Sequence, residues 1–247
     1  MRIAVFGGLG TVASEFIVHA MAAGHFVSCF LREQDQLADK DLESNPEYAS
    51  VLRIVRGATS DISKYQETLR DTTAVLVAFD AQHTPAHHWA YQQKMVQLAM
   101  QHEHVSRLVV VTSHGAGSSR RLLDWSTWVR LNINQAKYLL GLAPAHNTCW
   151  SLLAQYTAQE QVVINGEIPQ DILNDVSTNT ERGLEWTILR PGVLVDGPAT
   201  GTYLASEEHV FGGYISPADV ADCALKALED EMDVGKCFSI AYSARVA

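Results

Sequence analysis

The amino-acid sequence predicts an α/β fold, a doubly wound and mainly parallel sheet covered by helices on both faces. Three observations carry that expectation. Short apolar runs rich in β-branched residues alternate with segments of helical periodicity, the pattern left by parallel strands joined through right-handed helical crossovers. Three glycines, Gly7, Gly8 and Gly10, separate the first such run from the first helical segment. No repeat, low-complexity tract or linker divides the 247 residues, and 47% hydrophobic content supports one sizeable core, so a single domain over residues 1–247 is expected.

The elements follow in order. Arg2–Gly7, His25–Leu31, Val51–Gly57, Ala74–Phe79, Arg107–Ser113 and Trp186–Pro191 read as strands, and Lys236–Tyr242 as a late addition, because each is short, apolar and β-prone. Thr11–Ala23, Lys64–Leu69, Ala86–Gln101 and Ser126–Leu142 read as the helices between them. The stretch from Ala143 to Gly183 carries two more helical patterns, Cys149–Ile164 and Ile168–Gly183, the second opened by Pro169 and stopped by Gly183. Trp125 and Trp128 stand three apart on the helix after Ser113, a spacing that more often marks core than a stacking site.

Composition narrows the function. A net charge of −10 with only 18 Lys and Arg residues argues against a nucleic-acid partner, whose phosphates are bound by concentrated cations. No apolar run approaches the ~20 residues that span a bilayer. Arg2 leads directly into a strand pattern and not into a cleavable signal, so a cytoplasmic protein with no membrane partner is expected. Cys29, Cys149, Cys223 and Cys237 lie far apart, without metal-ligand or redox spacing, and read as reduced core thiols. His83 and His87 have an i, i+4 spacing that could clasp a metal on a helix. Pro85 interrupts it and Asp80 is the one carboxylate near in sequence, so no metal site is expected.

The glycines point to an anion. A strand that ends in glycines and runs at once into a helix offers uncapped N–H groups and a positive dipole end. In Gly7-Gly8-Leu9-Gly10-Thr11-Val12-Ala13, Gly7 permits the tight turn and Gly10 lets a pyrophosphate approach the backbone. Ala13 takes the close-packing place often held by a third glycine. A merely tight strand-to-helix turn is the competing reading. The second strand closes on Arg32, with Glu33 next. An arginine there accommodates a ribose 2′-phosphate, whereas NAD sites commonly carry an acid, so NADP(H) is favoured over a surface Arg32–Glu33 pair.

With these residues in hand, the chain resembles an atypical short-chain dehydrogenase/reductase of the NmrA-like, NAD(P)H-binding group, which includes the biliverdin reductase B-like flavin reductases. The matching stretches are "IAVFGGLGTVAS", "VRGATSDI", "VVVTSHGAG", "GLEWTILRPGVLVDGPATGTY" and "ISPADVADCALKAL". The resemblance implies one Rossmann-type domain with a small C-terminal substrate lobe, here from about 143–183 and 192–216. It implies NADP(H) held by Gly7, Leu9, Gly10, Thr11, Val12, Arg32, Ala58, Thr59, Ala78, Phe79, Pro191 and Gly192. Pro191 and Gly192 would lie against the nicotinamide, and Asp196 with the "GPATG" loop would border the substrate mouth.

Departures from the family pattern shape the chemistry. The family's Gly-Asp after the third strand is Gly57-Ala58 here, leaving Thr59 or Asp61 to substitute near the adenine. Ser113 fits the substrate-orienting serine and Lys137 the lysine of the usual Tyr-x-x-x-Lys pair, but Ile133 stands in the tyrosine's place. His114 is the best remaining proton donor, against the competing reading of a solvent-facing loop histidine. An acceptor that needs little protein-derived acid, such as a flavin, a quinone or a polarised alkene, would suit such a site. The leading expectation is therefore an NADPH-dependent oxidoreductase acting on a small planar or aromatic molecule, as a monomer or homodimer. A redox sensor of the NmrA type without turnover, and a cyclase, isomerase or dehydratase on the same fold, are the alternatives.

Overall fold

The computed structural model describes residues 1–37, 42–43, 45–80, 88–123, 125–142, 149–165, 183–207, 213–229 and 234–243. Seven parallel strands form the body of one sheet: β1 (Arg2–Phe6), β2 (Phe26–Leu31), β3 (Leu52–Arg56), β4 (Ala74–Val77), β5 (Arg107–Val111), β6 (Glu185–Pro191) and β10 (Lys236–Ala241). Their order is β3-β2-β1-β4-β5-β6-β10, with β8 (Leu204–Ser206) added antiparallel at the β10 edge. That is the Rossmann-type order, in which the winding reverses between β1 and β4 and opens a crevice beyond their carboxyl ends. A separate two-stranded ribbon pairs β7 (Val193–Leu194) with β9 (Tyr214–Ile215).

The strands read as near-continuous apolar runs because both faces are covered. On one face α1 (Thr11–Ala22) and α6 (Pro217–Glu229) bury Phe16, Ile17, Val220 and Ala224 against Ile3, Val5, Leu76 and Val109. On the other, α2 (Ile62–Leu69), α3 (Trp89–His102) and α5 (Trp150–Asn165) bury Tyr65, Trp89, Val96 and Tyr156 against Phe6, Val75, Leu108 and Ile188. Among the described helices, α4 (Trp125–Leu139) is the least covered.

Two expectations change. Trp125 is 75% exposed and stacks on the exposed Trp128 at 5.2 Å between ring centroids, so the pair is a surface feature and not core. The three-residue spacing fixes a common helix face without saying what faces it. The antiparallel β8 edge and the β7–β9 ribbon add to the strands read from the sequence, since runs of two or three residues are too short to leave a periodic signal. The first Ala143–Gly183 helix is α5, and the second, over Ile168–Gly183, lies almost wholly outside the described residues. Cys29, Cys149 and Cys223 are buried, Cys237 is half-buried, and none of the four is in a disulfide.

Candidate functional site

The crevice is built first from backbone. Gly7 takes φ +101°, and a Cβ there would collide with the Ala78 carbonyl at the end of β4. Gly10 donates its N–H to the Gly7 carbonyl (2.9 Å), and a Cβ on it would come within 2.9 Å of the Asp80 Cβ. Beneath the turn, Cys29 fills the space that a Gly8 side chain would need, and burial pushes its thiol up to about 12, so it is an inert filler. Gly10 is the N-cap of α1 and supplies no side-chain cap, and the first turn holds no acidic residue. The leading N–H groups of α1 therefore remain available to an anion. These features fit a pyrophosphate: bare backbone at the closest approach, then an uncapped helix N-terminus.

Gly7, Gly8, Leu9, Phe30, Leu31, Arg32, Asp35, Thr59, Phe79 and Gln92 line the crevice together. Of the residues named from the sequence as cofactor contacts, this places Gly7, Leu9, Arg32, Thr59 and Phe79 on one wall system. Gly10, Thr11 and Val12 form the turn and helix start beside it, and Ala78, just after β4, lies against Gly7 and Gly10. Thr59 is held by the Tyr65 hydroxyl, which donates to its carbonyl (3.0 Å), and Ala58 accepts the Asp61 N–H (3.0 Å). Asp61 itself caps α2 by accepting from Ser63, which occupies its carboxylate within the chain. Arg32 is not paired with Glu33. Its guanidinium grips Asp35, with Nε to Oδ2 at 2.5 Å and Nη2 to Oδ1 at 3.1 Å.

The second group of candidate residues follows β5, the strand beside β4 in the sheet. Ser113 is buried, with its Oγ donating to the His114 carbonyl at 3.4 Å. The His114 N–H donates to the Pro191 carbonyl (2.8 Å), and the His114 Nδ1 lies 3.0 Å from the Ser239 Oγ on β10. Lys137 stands exposed in the last turn of α4, and Ile133 is 49% exposed on the same helix, so neither is enclosed with Ser113 and His114. Gly192 donates its N–H to the Ile240 carbonyl (3.0 Å), and a Cβ on it would strike the Gly213 carbonyl. That contact with the Gly213 backbone gives Gly192 a packing reason of its own.

Behind Ser113 and His114 sits a buried ion pair. Glu160 on α5 and Arg190 on β6 are 1% and 4% exposed at their side chains, joined through Nε–Oε1 at 2.9 Å and Nη2–Oε2 at 2.7 Å. Thr112 donates to the same carboxylate (2.8 Å), Arg190 Nη1 donates to Ser118 (3.0 Å), and the Gly117 N–H donates to Thr157 (2.9 Å). Burial alone would lower the Arg190 pKa, but the bonds and charge of Glu160 outweigh it and raise it. The pair staples α5 and β6 to the loop that carries the candidate chemistry. Asp219 at the start of α6 accepts from Thr200, Gly201, Ser216 and Tyr242 and so pins the "GPATG" loop.

Asp35, Gln92, Ser239 and Glu160 escape the sequence reading. Glu160 carried a usable signal, because it stands on the stripe of Leu153, Tyr156 and Val163, where a lone carboxylate must find a buried partner. Asp35 lies three residues after Arg32 in a turn, within reach of its fork. Gln92 and Ser239 carried none.

A metal site is not assembled among the described residues, where no three His, Cys, Asp or Glu gather, and His83 and His87 lie outside them. No helix among the described residues is long and apolar enough to cross a membrane.

A family model described as NAD(P)H-binding matches residues 7–231. No curated protein matches the chain. Among solved structures it is similar to ChuY, an anaerobillin reductase from Escherichia coli O157:H7, at 19% identity and TM-score 0.68, covering 100% of this chain and 99% of that one. It is also similar to a Veillonella parvula short-chain dehydrogenase/reductase solved in complex with NADP (14% identity, TM-score 0.65, 98% and 95% covered). The oxidoreductase YlbE from Lactococcus lactis aligns at 14% identity and TM-score 0.67 over 99% and 93% of the chains. At these identities the likenesses speak for the fold.

Proposed function

The chain belongs to the NAD(P)H-binding family, and from that premise we propose that it is an NADP(H)-dependent oxidoreductase of the atypical short-chain dehydrogenase/reductase type, handing a hydride to a small planar or aromatic acceptor. The observation that carries the reading is the Gly7–Gly10 turn packed against the end of β4, continuous with Arg32 along one crevice. In this reading the bound cofactor supplies the hydride. Gly7, Leu9, Gly10, Thr11 and Val12 hold the pyrophosphate with Ala78 behind them, and Arg32 meets the ribose 2′-phosphate. Ala58, Thr59 and Phe79 flank the nucleotide, while Pro191 and Gly192 back the nicotinamide. The substrate lobe is drawn from about 143–183 and 192–216 of one domain, working as a monomer or homodimer in the cytoplasm.

A planar acceptor follows from the acid that is missing. A positioned general acid contributes about 10²–10⁴-fold to carbonyl reduction, and Ile133 cannot serve as one. Ser113 orients the acceptor and His114 is the group left to donate a proton. Stacking a flat acceptor against the nicotinamide moves most of the work to positioning. Lys137, if it reaches the nicotinamide ribose, must do so from the exposed end of α4.

The test is a titration with NADPH and NADH, followed by loss of nicotinamide absorbance against flavin, quinone and enone panels. Tighter NADPH binding with turnover of one panel is the expected outcome. Tight binding with no turnover on any panel turns the reading to the sensor alternative, which the solvent-facing Ile133 favours. Failure to bind either cofactor removes both.

A further inference from the structure

The Arg32 fork is already filled. The turn after β2 is closed by the Asp35 N–H, which donates to the Arg32 carbonyl (3.0 Å), and the Asp35 carboxylate then takes the guanidinium through two bonds. This is a built arrangement. Arg56 donates to the Asp35 carbonyl (3.4 Å) and to Glu43 (2.7 Å), and Glu43 in turn accepts the N–H of the buried Leu37 (2.8 Å). The Asp35 side chain is 11% exposed and the Arg32 side chain 30%, and both line the crevice.

A guanidinium fork matches one bidentate oxyanion well. A ribose 2′-phosphate arriving at Arg32 must share that fork with a carboxylate or displace it, and two anions at such range repel. A ribose 2′-hydroxyl brings no charge, leaves the pair intact and can donate to the Asp35 oxygens. The same two residues thus attract one cofactor and temper that attraction.

We propose that Asp35 is a specificity-determining residue, an internal competitor that holds down the NADPH preference Arg32 confers and keeps NADH admissible. The proposal rests on the reading that this crevice binds NAD(P)H with Arg32 beside the 2′ position. It is tested by measuring dissociation constants of the full chain for NADPH and NADH from nicotinamide fluorescence, in the wild type, Asp35→Asn and Asp35→Ser.

The wild type is expected to favour NADPH by less than tenfold. Asp35→Asn, which keeps a turn-forming side chain, is expected to widen that ratio at least tenfold, chiefly by tightening NADPH, with the gain shrinking as salt rises. Asp35→Ser should move the ratio in the same direction. A ratio unchanged in both variants, or a parallel loss of both cofactors, overturns the proposal and leaves Asp35 a turn-former only. A wild type that binds both cofactors with an unchanged variant ratio defeats this inference alone, whereas a wild type that binds neither defeats the cofactor reading beneath it.

Discussion

Two parts of the proposed site, the Gly7–Arg32 crevice as its nucleotide end and the loop after β5 as its chemical end, are built by opposite means. At the proposed nucleotide end the groups on offer are backbone and partly buried charge: a glycine-rich turn, an uncapped helix, and Arg32 held by Asp35. At the chemical end the loop after β5 rests on Glu160 and Arg190, both buried and both fully engaged. Under the proposed function the first end opens itself to an anion and stays lightly defended. Under the same proposal the second holds Ser113 and His114 still, with a charge pair whose burial is costly unless its donors are used. The difference teaches that, if the proposal holds, affinity and geometry are written into separate parts of the chain and can be broken separately.

The sharpest break is at Glu160. Glu160→Gln keeps the volume but leaves the Arg190 charge buried without its counter-charge, which costs about 3–5 kcal/mol in comparable buried pairs. A large fall in the urea midpoint is expected, and Glu160→Leu with Arg190→Met should recover part of it by removing both charges. If Glu160→Gln leaves the midpoint where it was, the staple is not what holds this end. At the opposite end, Gly7→Ala forces a side chain onto φ +101° and into the Ala78 carbonyl. Strain of that kind costs about 1–3 kcal/mol, and cofactor affinity should drop more than tenfold because the turn must move away from β4. Calorimetric titration with NADPH reads it directly.

Legibility in the sequence divides along the same line. The Gly7–Arg32 crevice is largely local: Gly7 to Val12 and Arg32 lie within local patterns, so strand, turn and helix could be read together. The parallel sheet was legible for the same reason, since each strand and helix announces its own periodicity. The staple is assembled from Thr112, Gly117, Ser118, Thr157, Glu160 and Arg190, brought together only by the sheet order. No local pattern connects them. Arg32 shows the limit within a single turn, because its residue type was readable and its pairing with Asp35 rather than Glu33 depended on which carboxylate the turn folds back.

Arg32→Asp moves the nucleotide end further than removing Asp35 does. It deletes the fork and places a second carboxylate beside the first, so NADPH should weaken by about 10–100-fold, or 1.4–2.8 kcal/mol, with a much smaller loss for NADH. Equal losses for the two cofactors would take Arg32 away from the 2′ position. His114→Asn asks the matching question of the chemical end, where the histidine is read as the proton donor and its Nδ1 is engaged by Ser239. A general acid must start protonated, so wild-type turnover should fall as pH rises through the imidazole titration. The variant should flatten that profile and raise the barrier by about 1–3 kcal/mol, with cofactor affinity preserved. A pH–rate series whose shape matches the parent would make His114 a wall of the pocket and water the proton source.

The smallest effect separates charge pairing from burial itself. Asp219 is fully buried like Glu160, yet its partners are neutral: the hydroxyls of Thr200, Ser216 and Tyr242 and the N–H groups of Thr200 and Gly201. Burial alone would push its carboxyl up, but those bonds outweigh it and hold the group below its ordinary value of 3.8. A depressed folded-state pKa stabilises the fold fully above the unfolded value and loses that contribution as pH falls through the folded one. Wild-type stability should therefore decline below about pH 4 partly through this group. Asp219→Asn removes the titration without stranding a charge, because its amide oxygen still accepts from the loop, so the neutral-pH loss should be well under that of Glu160→Gln. Urea midpoints measured from pH 7 down to pH 3 should converge for the two proteins at the acid end. Curves that stay parallel across that range would show that the "GPATG" loop gains nothing from the carboxylate's charge, and that burial alone distinguishes neither site.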